Sequence, residues 1–321
     1  MERVINAMLS MQRYPWEQGV CAQALFEAGK EELWIPMAHD AIKRMDKEGR
    51  LAMIGGGECV SDPAANGEVC LRAYEKTGDE FFLVGAKKMY DYLLKKAPRT
   101  DDGVILHNNI SFFEGFSKYQ LWIDGLYMVP PFLAVMGNLD EAHAQINGYI
   151  RYLFDCENDL FFHIIDVKNE SFVRKLHWAT GNGWALMGLS RVIEEAKKNN
   201  RKDIGEKLVQ TLNSVLSAMR KYQLSEGRFK DILDSKDSFI DGTSACMYAA
   251  TVYRGICFGY VSRDYLKSAD LAYTAVSKDI DKYGILRHVA GCPDFNEDGT
   301  SVEAQASFIM ADAWKKKLLG L

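Results

Sequence analysis

Long apolar runs are missing from this chain, and so are clusters of basic residues. No stretch approaches the roughly 18 consecutive apolar residues that a membrane-spanning helix needs, so we expect no contact with a membrane. The first 20 residues contain no basic start followed by an apolar run, which argues against a signal peptide. A net charge of −5, without any Lys/Arg-rich run, argues against a nucleic-acid partner.

Signatures of disulfides, metal sites and activated nucleophiles are absent as well. The seven cysteines are scattered and never in C-x-x-C spacing, which predicts reduced thiols in a cytoplasmic protein. The six histidines show no H-E-x-x-H or other paired metal-ligand spacing, so we expect no metal site and no cofactor. A G-x-S-x-G motif is lacking, and no serine or cysteine nucleophile stands out.

Helical patterning dominates what is present, whereas strand patterning is nearly absent. With 321 residues, 48% of them hydrophobic and 26% charged, the chain is long enough to bury a large core. Some segments carry an apolar stripe at helical spacing and a charged opposite face: 80–96, 139–155, 202–221 and 263–279. Between them lie segments of a different kind, several of them apolar or small on every side, which predicts buried inner helices: 63–77, 122–136, 179–197, 241–258 and 301–316.

Inner and outer helices therefore alternate along the chain. The links from inner to outer helices are short, whereas the links back are long and rich in Gly, Asp and aromatic residues: 47–61, 97–120, 156–177, 222–240 and 280–299. The inner helices begin mostly about 60 residues apart, which indicates a repeat of helical hairpins. We predict an all-α fold, a six-hairpin α/α barrel closed into a toroid, with residues 1–321 as a single domain. The long loops and the inner-helix N-termini would share one face, and the pocket is expected there.

Tryptophan and aspartate recur where the long loops meet the inner helices. Helix N-termini present unpaired N–H groups and a positive dipole end, which suits an anionic or hydroxyl-rich ligand. Exposed tryptophan faces suit sugar rings, so these junctions together predict a carbohydrate site. An aromatic residue at such a junction often packs on its neighbour instead, so both roles stay open for the four tryptophans. They are Trp16, Trp122, Trp178 and Trp184.

Three aspartates at these junctions could serve as helix caps or in chemistry. Asp62 precedes Pro63, an arrangement typical of a helix start, and both roles stay open for it. Asp241, before Gly242, is favoured as a cap. Asp124 has apolar neighbours, so we expect partial desolvation, a raised pKa and a proton retained near neutral pH. A functional role is therefore favoured for Asp124.

Five motifs lie in order at the same junctions. They are WEQGV at 16–20, SDPAANGE at 61–68, LWIDGLYMVPPFLA at 121–134, HWATGNGW at 177–184 and DGTSACMYA at 241–249. Together they resemble the unsaturated glucuronyl and rhamnogalacturonyl hydrolases of glycoside hydrolase families 88 and 105. The resemblance implies a barrel of six α/α hairpins and a small oligosaccharide substrate. That substrate would end in a uronate with a C4=C5 double bond, the product of a polysaccharide lyase.

The resemblance also implies catalytic roles for two carboxylates. In that family, the Asp of the W-x-D-G motif, here Asp124, gives a proton to C4 and takes one from the water that adds at C5. The resulting hemiketal opens and expels the rest of the sugar chain. Asp62 matches a second carboxylate that binds sugar hydroxyls, and close to Asp124 it would raise the pKa of that residue by like-charge repulsion.

Recognition of the substrate is expected from the junction residues. They are Trp16, Trp122, Tyr127, His177, Thr180, Asn182, Trp184, Thr243 and Ser244. A structural role is nevertheless favoured for both His107 and His177. Thr180 stands where rhamnogalacturonyl members typically carry arginine, so the substrate carboxylate must be bound by other groups. Candidates are the hydroxyls of Thr243 and Ser244 and the charges of Arg228 and Lys230.

Two other classes of function stay open. A barrel of this kind could hydrolyse a saturated sugar directly, with two carboxyls about 5 to 9.5 Å apart across the bond. It could also epimerise a sugar, although the junctions offer no pair of catalytic histidines. A non-catalytic sugar-binding protein would keep the fold, and its Asp124 pKa would stay near the ordinary value of about 4.

Overall fold

The computed structural model describes residues 1–54, 58–109, 117–292 and 294–321, and helices dominate this part of the chain. The predicted loops 47–61, 97–120 and 280–299 each include residues outside the described ranges. The α-helices are α1 (Glu2–Met11), α2 (Pro15–Glu27), α3 (Glu31–Lys43), α4 (Ala65–Thr77), α5 (Glu80–Lys95), α6 (Gly125–Met128), α7 (Pro130–Val135), α8 (Leu139–Leu153), α9 (Ala179–Lys198), α10 (Lys202–Lys221), α11 (Gly242–Phe258), α12 (Leu266–Lys278) and α13 (Val302–Leu319). The strands are β1 (Gln120–Trp122), β2 (Phe154–Asp155), β3 (Leu160–Phe161), β4 (Ile164–Asp166), β5 (Ser171–Arg174), β6 (Phe229–Lys230), β7 (Ile240–Asp241), β8 (Val289–Ala290) and β9 (Asp298–Gly299).

The four amphipathic segments predicted as outer helices are helices in the structure, namely α5, α8, α10 and α12. In α10 the buried residues Ile204, Leu208 and Leu212 recur every four positions, as one apolar stripe requires. The helix α12 begins later than predicted because a 3-10 turn, Arg263–Tyr265, precedes it.

Segment 122–136 is not the single inner helix that its composition predicts. The strand β1 ends at Trp122, and the short helix α6 gives way to α7 at Pro130. Pro130 and Pro131 have no backbone N–H, so the hydrogen-bond ladder of α6 cannot run through them. The structure also contains short strands that the sequence did not indicate. They are two to four residues long, too short for an alternating pattern to be visible in the sequence.

The chain divides into two compact units. Unit A comprises Arg13–Phe154 and Phe162–Lys175, and unit B comprises Met1–Gln12, Asp155–Phe161 and Leu176–Leu321.

Unit A is built from neighbouring helices and one small sheet. The helices α2 to α5 pack together, and α7 packs against α4 and α8. A Cβ atom on Gly19 would lie 2.5 Å from the Cβ of Ala65, so glycine is what lets α2 and α4 approach closely. The strands β1, β4 and β5 form an antiparallel sheet in that order, with Trp122 opposite Ile164 and Ile164 opposite Arg174. This sheet leads the chain directly into Asp124.

Unit B contains three helices that are buried along most of their length, α9, α11 and α13. The helix α10 packs on α9, α12 packs on α11, and α1 packs on α13. The buried side chain of Gln305 ties α13 to its neighbours. Its amide nitrogen donates to the carbonyls of Val4 (3.1 Å) and Gly284 (2.9 Å), and its oxygen accepts from the Leu286 N–H (2.7 Å). Within the described ranges, none of the helices combines the length and the apolar character needed to cross a membrane.

Candidate functional site

Two carboxylates, Asp62 and Asp124, lie near each other in unit A, and we call them the carboxylate pair. Asp62 is the first residue of a 3-10 turn, Asp62–Ala64, that runs into α4. Asp124 immediately precedes α6. The side chain of Asp62 is only 6% exposed, whereas that of Asp124 is 16% exposed. Asp124 is therefore the member of the pair that a ligand can reach more easily.

Asp62 is surrounded by side chains rather than by the N–H groups of a helix end. The Ser61 hydroxyl donates to its Oδ1 at 3.2 Å and also lies 2.8 Å from Nδ1 of His107. The Cys59 thiol donates to the same carboxylate. Burial raises the pKa of Asp62, the negative charge of Asp124 raises it further, and the imidazole of His107 only partly opposes them. Asp62 therefore holds a proton to higher pH than an ordinary aspartate.

Asp124 has the opposite shift, which corrects the prediction of a raised pKa. Burial does push its pKa upward, as its apolar neighbours suggested. The imidazole of His163, with Nε2 at 3.6 Å from Oδ2, and the imidazole of His107 favour the ionised carboxylate by more. The pKa of Asp124 consequently lies below its usual value. Burial also lowers the pKa of His163, so this imidazole faces Asp124 in its neutral form.

Three aromatic rings in contact lie between the two carboxylates, and we call them the ring bridge: His107, Trp122 and His163. The rings of His107 and Trp122 are stacked, with centroids 4.4 Å apart and an angle of 14°. The ring of His163 meets Trp122 edge-on, at 5.9 Å and 83°. Each histidine of the bridge also faces one carboxylate, His107 facing Asp62 at 3.9 Å and His163 facing Asp124. The half-buried Trp122 therefore fixes the separation of two histidine–carboxylate pairs.

Sequence reasoning missed the histidines of the ring bridge. His107 was favoured as structural, and His163 was not singled out at all. Both occur within the long loops that precede inner helices, and that position was the available signal. Their partners are far away in the sequence, so no local spacing links them to either carboxylate.

Gly125, which follows Asp124, is required by a neighbouring tyrosine. A Cβ atom on Gly125 would overlap the hydroxyl of Tyr149, a residue of α8. That phenol is buried, and its pKa is raised by burial and by the charges of Asp124 and Asp62. Among the described residues it has no hydrogen-bond partner, so a neutral donor stands beside the carboxylate pair.

The polar residues predicted to bind substrate in unit B are buried, and all but one of their polar side chains are hydrogen-bonded within the unit, so their contact with substrate stays a prediction. The exception is the Thr243 hydroxyl, which has no hydrogen-bond partner among the described residues. The carboxylate of Asp241 accepts from the N–H groups of Thr243 (2.9 Å) and Ser244 (3.0 Å) and from the Thr180 hydroxyl (2.7 Å). Asn182 is used in the same way, because its amide bonds to the backbone of Phe161 and to the Trp178 carbonyl. These groups cap and join segments of unit B.

The two cations considered for the substrate carboxylate also have partners within unit B. Arg228 pairs with Asp279 at 2.8 Å and with Glu226 at 3.2 Å. The Lys230 ammonium donates to the Ser238 carbonyl at 2.7 Å. Both side chains therefore stabilise loops of unit B.

His177 lies between two carboxylates of unit B. Its Nδ1 is 2.8 Å from Asp234, and its Nε2 is 3.1 Å from Asp155. With both ring nitrogens occupied, the structure favours a structural role for His177, and its contact with substrate stays a prediction. Across the described ranges, no group of three His, Cys, Asp or Glu side chains is arranged to hold a metal ion.

The remaining aromatic candidates divide between core and surface. Trp184 and Tyr127 are buried, and the Tyr127 hydroxyl donates to Gln23, so neither has a surface to offer a sugar. Their burial does not favour a contact with substrate, which stays a prediction for both. Trp16 is half-buried and stacked on Tyr14, with centroids 4.5 Å apart and nearly parallel rings. Its contact with substrate stays a prediction, like that of Trp122.

The role of Asp241 as a cap is confirmed, and its loss has a predictable cost. Its carboxylate accepts a further bond from the Ala290 N–H at 3.0 Å. Replacing Asp241 with alanine leaves buried donors of unit B unpaired, so we expect the free energy of unfolding to fall by about 3 kcal/mol. Urea unfolding would measure this. As a control, Asp79→Ala removes an exposed cap bonded to one N–H, and it should cost about 1 kcal/mol. Equal losses for the two variants would contradict the role described for Asp241.

Comparisons with known proteins agree on one family and one fold. The family described as Glycosyl Hydrolase Family 88 matches this chain over residues 2–306. The unsaturated rhamnogalacturonyl hydrolase YesR of Bacillus subtilis is 23% identical over 263 residues, 78% of this chain and 74% of that protein. A possible family 105 member from Salmonella enterica serovar Paratyphi A superposes with a TM-score of 0.82 at 22% identity, over 94% of this chain and 82% of that one. An unsaturated glucuronyl hydrolase specific for heparin superposes with a TM-score of 0.73 at 15% identity, over 99% and 95% of the two chains. The prediction of an all-α fold of the α/α-barrel class is confirmed by these likenesses.

Proposed function

Because the chain belongs to glycosyl hydrolase family 88, we propose that it releases a terminal 4,5-unsaturated uronate from the oligosaccharides that polysaccharide lyases produce. The observation that carries this proposal is the carboxylate pair joined by the ring bridge. Hydration of the double bond needs one acid that protonates carbon and one base that takes a proton from water. A pair of coupled carboxylates that holds a single proton meets both needs.

Asp124 is the residue that we propose to act on the substrate. It is the more open member of the pair, whereas Asp62 is almost wholly enclosed. Of the two, Asp62 retains a proton to higher pH in the free enzyme, because its pKa is raised while that of Asp124 is lowered. A bound uronate brings its own negative charge and displaces water, and both effects raise the pKa of Asp124. Substrate binding would thus move the proton of the pair onto Asp124.

The proton balance of the reaction then closes on Asp124. Its carboxyl gives a proton to C4, and positive charge develops at C5, where the ring oxygen stabilises it. The carboxylate left behind takes a proton from the water whose oxygen bonds to C5. Asp124 thereby recovers its proton, the hemiketal formed at C5 opens, and the rest of the sugar leaves as an alcohol. The neutral ring of His163 faces Oδ2 of Asp124 and would hold the carboxylate in one orientation during both transfers.

The direct experiment follows the ultraviolet absorbance of the double bond. Purified protein should bleach unsaturated disaccharides made by lyases, and a panel that varies the second sugar would identify the preferred neighbour. Cleavage of the matched saturated disaccharides instead would favour direct hydrolysis by paired carboxyls. Binding of the disaccharides without any turnover would favour a sugar-binding protein.

We propose that residues 1–321 act as one catalytic domain, which the family match over 2–306 supports. The chemistry uses a carboxylic acid and water, so the proposal includes no metal and no cofactor. All seven cysteines lie in the described part of the chain and are free thiols, which supports a cytoplasmic location.

A further inference from the structure

A buried arginine of unit A touches the segment that carries Asp62. The side chain of Arg50 is only 8% exposed. Its Nε donates to Asp46 at 2.8 Å, its Nη1 donates to the Cys59 carbonyl at 2.7 Å, and its guanidinium lies 5.6 Å from the centre of the Tyr92 ring. Burying a cation is costly unless its partners are well placed. Here those partners include the Asp46 carboxylate, the Tyr92 ring and the Cys59 carbonyl, and the Glu48 carboxylate lies 3.9 Å from its Nε.

The carbonyl that Arg50 holds belongs to a short ladder beside the carboxylate pair. Cys59 forms an isolated bridge with Asn108, and the Val60 N–H donates to the His107 carbonyl at 2.9 Å. These bonds therefore fix the position of the segment that carries Asp62 relative to His107, the histidine of the ring bridge that faces Asp62. The Cys59 side chain is buried and donates its S–H to the Asp62 carboxylate.

We propose that Arg50 is a positioning residue for Asp62, acting through Cys59, whose carbonyl it holds and whose thiol donates to the carboxylate. The inference rests on the proposed function for its catalytic consequence, and its structural part can be tested without turnover. Neither residue touches substrate in this scheme.

The position of Cys59 influences the pKa of Asp62. The titratable groups that face Asp62 are His107, Asp124, Cys59 and the buried phenol of Tyr149. Among them the Cys59 thiol favours the ionised carboxylate, because it donates a hydrogen bond to it. Loss of this donor raises the pKa of Asp62. Activity in the free enzyme depends on a protonated Asp62, so the alkaline limb of kcat/KM then moves to higher pH.

Cysteine variants test the thiol. Cys59→Ala should raise the pKa of Asp62 by about 0.5 to 1 unit, which one hydrogen bond accounts for. Cys59→Ser keeps a donor and should stay within a few tenths of a unit of the parent protein. Cys70→Ala removes another buried thiol of unit A, one that donates to the Ala38 carbonyl, and should leave the pKa unchanged. Carbon-13 NMR of labelled aspartate, with Asp62 assigned from the Asp62→Asn variant, reads the pKa directly.

Variants of Arg50 test its hydrogen bond to the Cys59 carbonyl. Arg50→Lys keeps the charge but loses the fork that joins Asp46 to the Cys59 carbonyl, so kcat should fall about ten- to a hundredfold per folded molecule. The pKa of Asp62 should move in the same direction as in Cys59→Ala. Arg228→Lys alters a comparably enclosed ion pair of unit B and should leave both quantities unchanged.

The outcomes separate this inference from the proposed function. An unchanged Asp62 pKa in both Cys59→Ala and Arg50→Lys, with both proteins folded by circular dichroism, would overturn the positioning role. A shifted pKa in a protein that turns over no lyase product would uphold the positioning role and overturn the proposed activity. Lower thermal stability without a pKa shift would reduce Arg50 to a structural residue, and this too would overturn the inference.

Discussion

Replacing Asp124 with asparagine is expected to lower kcat on an unsaturated disaccharide by roughly a thousandfold or more. The amide can neither give a proton to C4 nor take one from the attacking water. Asparagine has nearly the shape of aspartate, and its oxygen can still face the His163 ring, so the protein should stay folded. The rate of absorbance loss at the double bond, at saturating substrate, measures the effect.

A matched control for this variant is available in the same unit. Asp166 is a buried carboxylate of β4, bonded to the Ser117 hydroxyl at 2.6 Å and to two backbone N–H groups of the following turn. Asp166→Asn should keep kcat within a few-fold of the parent value. Retention of more than about a tenth of the activity by Asp124→Asn would remove Asp124 from the role of acid and base.

Replacing Asp62 with asparagine is expected to lower kcat about a hundredfold and to remove the alkaline limb of the pH profile. The pair then lacks the residue that stores its proton, and Asp124 must take one from solvent. In the parent protein, activity should fall as the pH rises through the raised pKa of Asp62. An alkaline limb that persists unchanged in Asp62→Asn would show that another group titrates there.

The same substitution has a stability consequence with a definite sign. The pKa of Asp62 is higher in the folded protein than in the unfolded chain, so folding binds its proton more tightly. This contribution to stability is complete below the unfolded pKa and is lost as the pH rises through the folded pKa. Asp62→Asn abolishes the loss, and we expect its free energy of unfolding at neutral pH to exceed that of the parent. Urea unfolding at pH 4 and pH 7 tests this, since the gain should appear only at the higher pH.

The helices of this protein could be predicted wherever one face of a segment meets solvent. The stripes of α5, α8, α10 and α12 are local properties, because residues three and four apart share a face of any helix. The apolar segment at 122–136 was harder, since a run buried on all sides has no periodicity to reveal where it bends. Its prolines were present in the sequence, yet the break at Pro130 became apparent only with β1 and α6 in place.

The sequence could also predict only some of the residues of the candidate site. Asp62 and Asp124 stood out because each begins a helical segment within a motif that resembles a known family. Thr180, Asn182, Thr243 and Ser244 occupy equivalent junctions, but the Thr180 hydroxyl and the N–H groups of Thr243 and Ser244 bond to Asp241, and the Asn182 amide bonds to the backbone of unit B. Whether a hydroxyl or amide serves a ligand or a neighbouring segment depends on which groups lie opposite, and a linear sequence does not record that.

The sequence by itself determined the helical class, the outer helices and the two carboxylates, because apolar spacing and short motifs are carried by residues close together in the chain. Only the tertiary structure decided which carboxylate has the raised pKa. A raised pKa was expected for Asp124 because its neighbours are apolar, but His163, 39 positions further on, faces its carboxylate and favours the ionised form. The pKa of a carboxyl depends on its burial and on the charges that folding brings near it. In this protein, burial and the charge of Asp124 raise the pKa of Asp62.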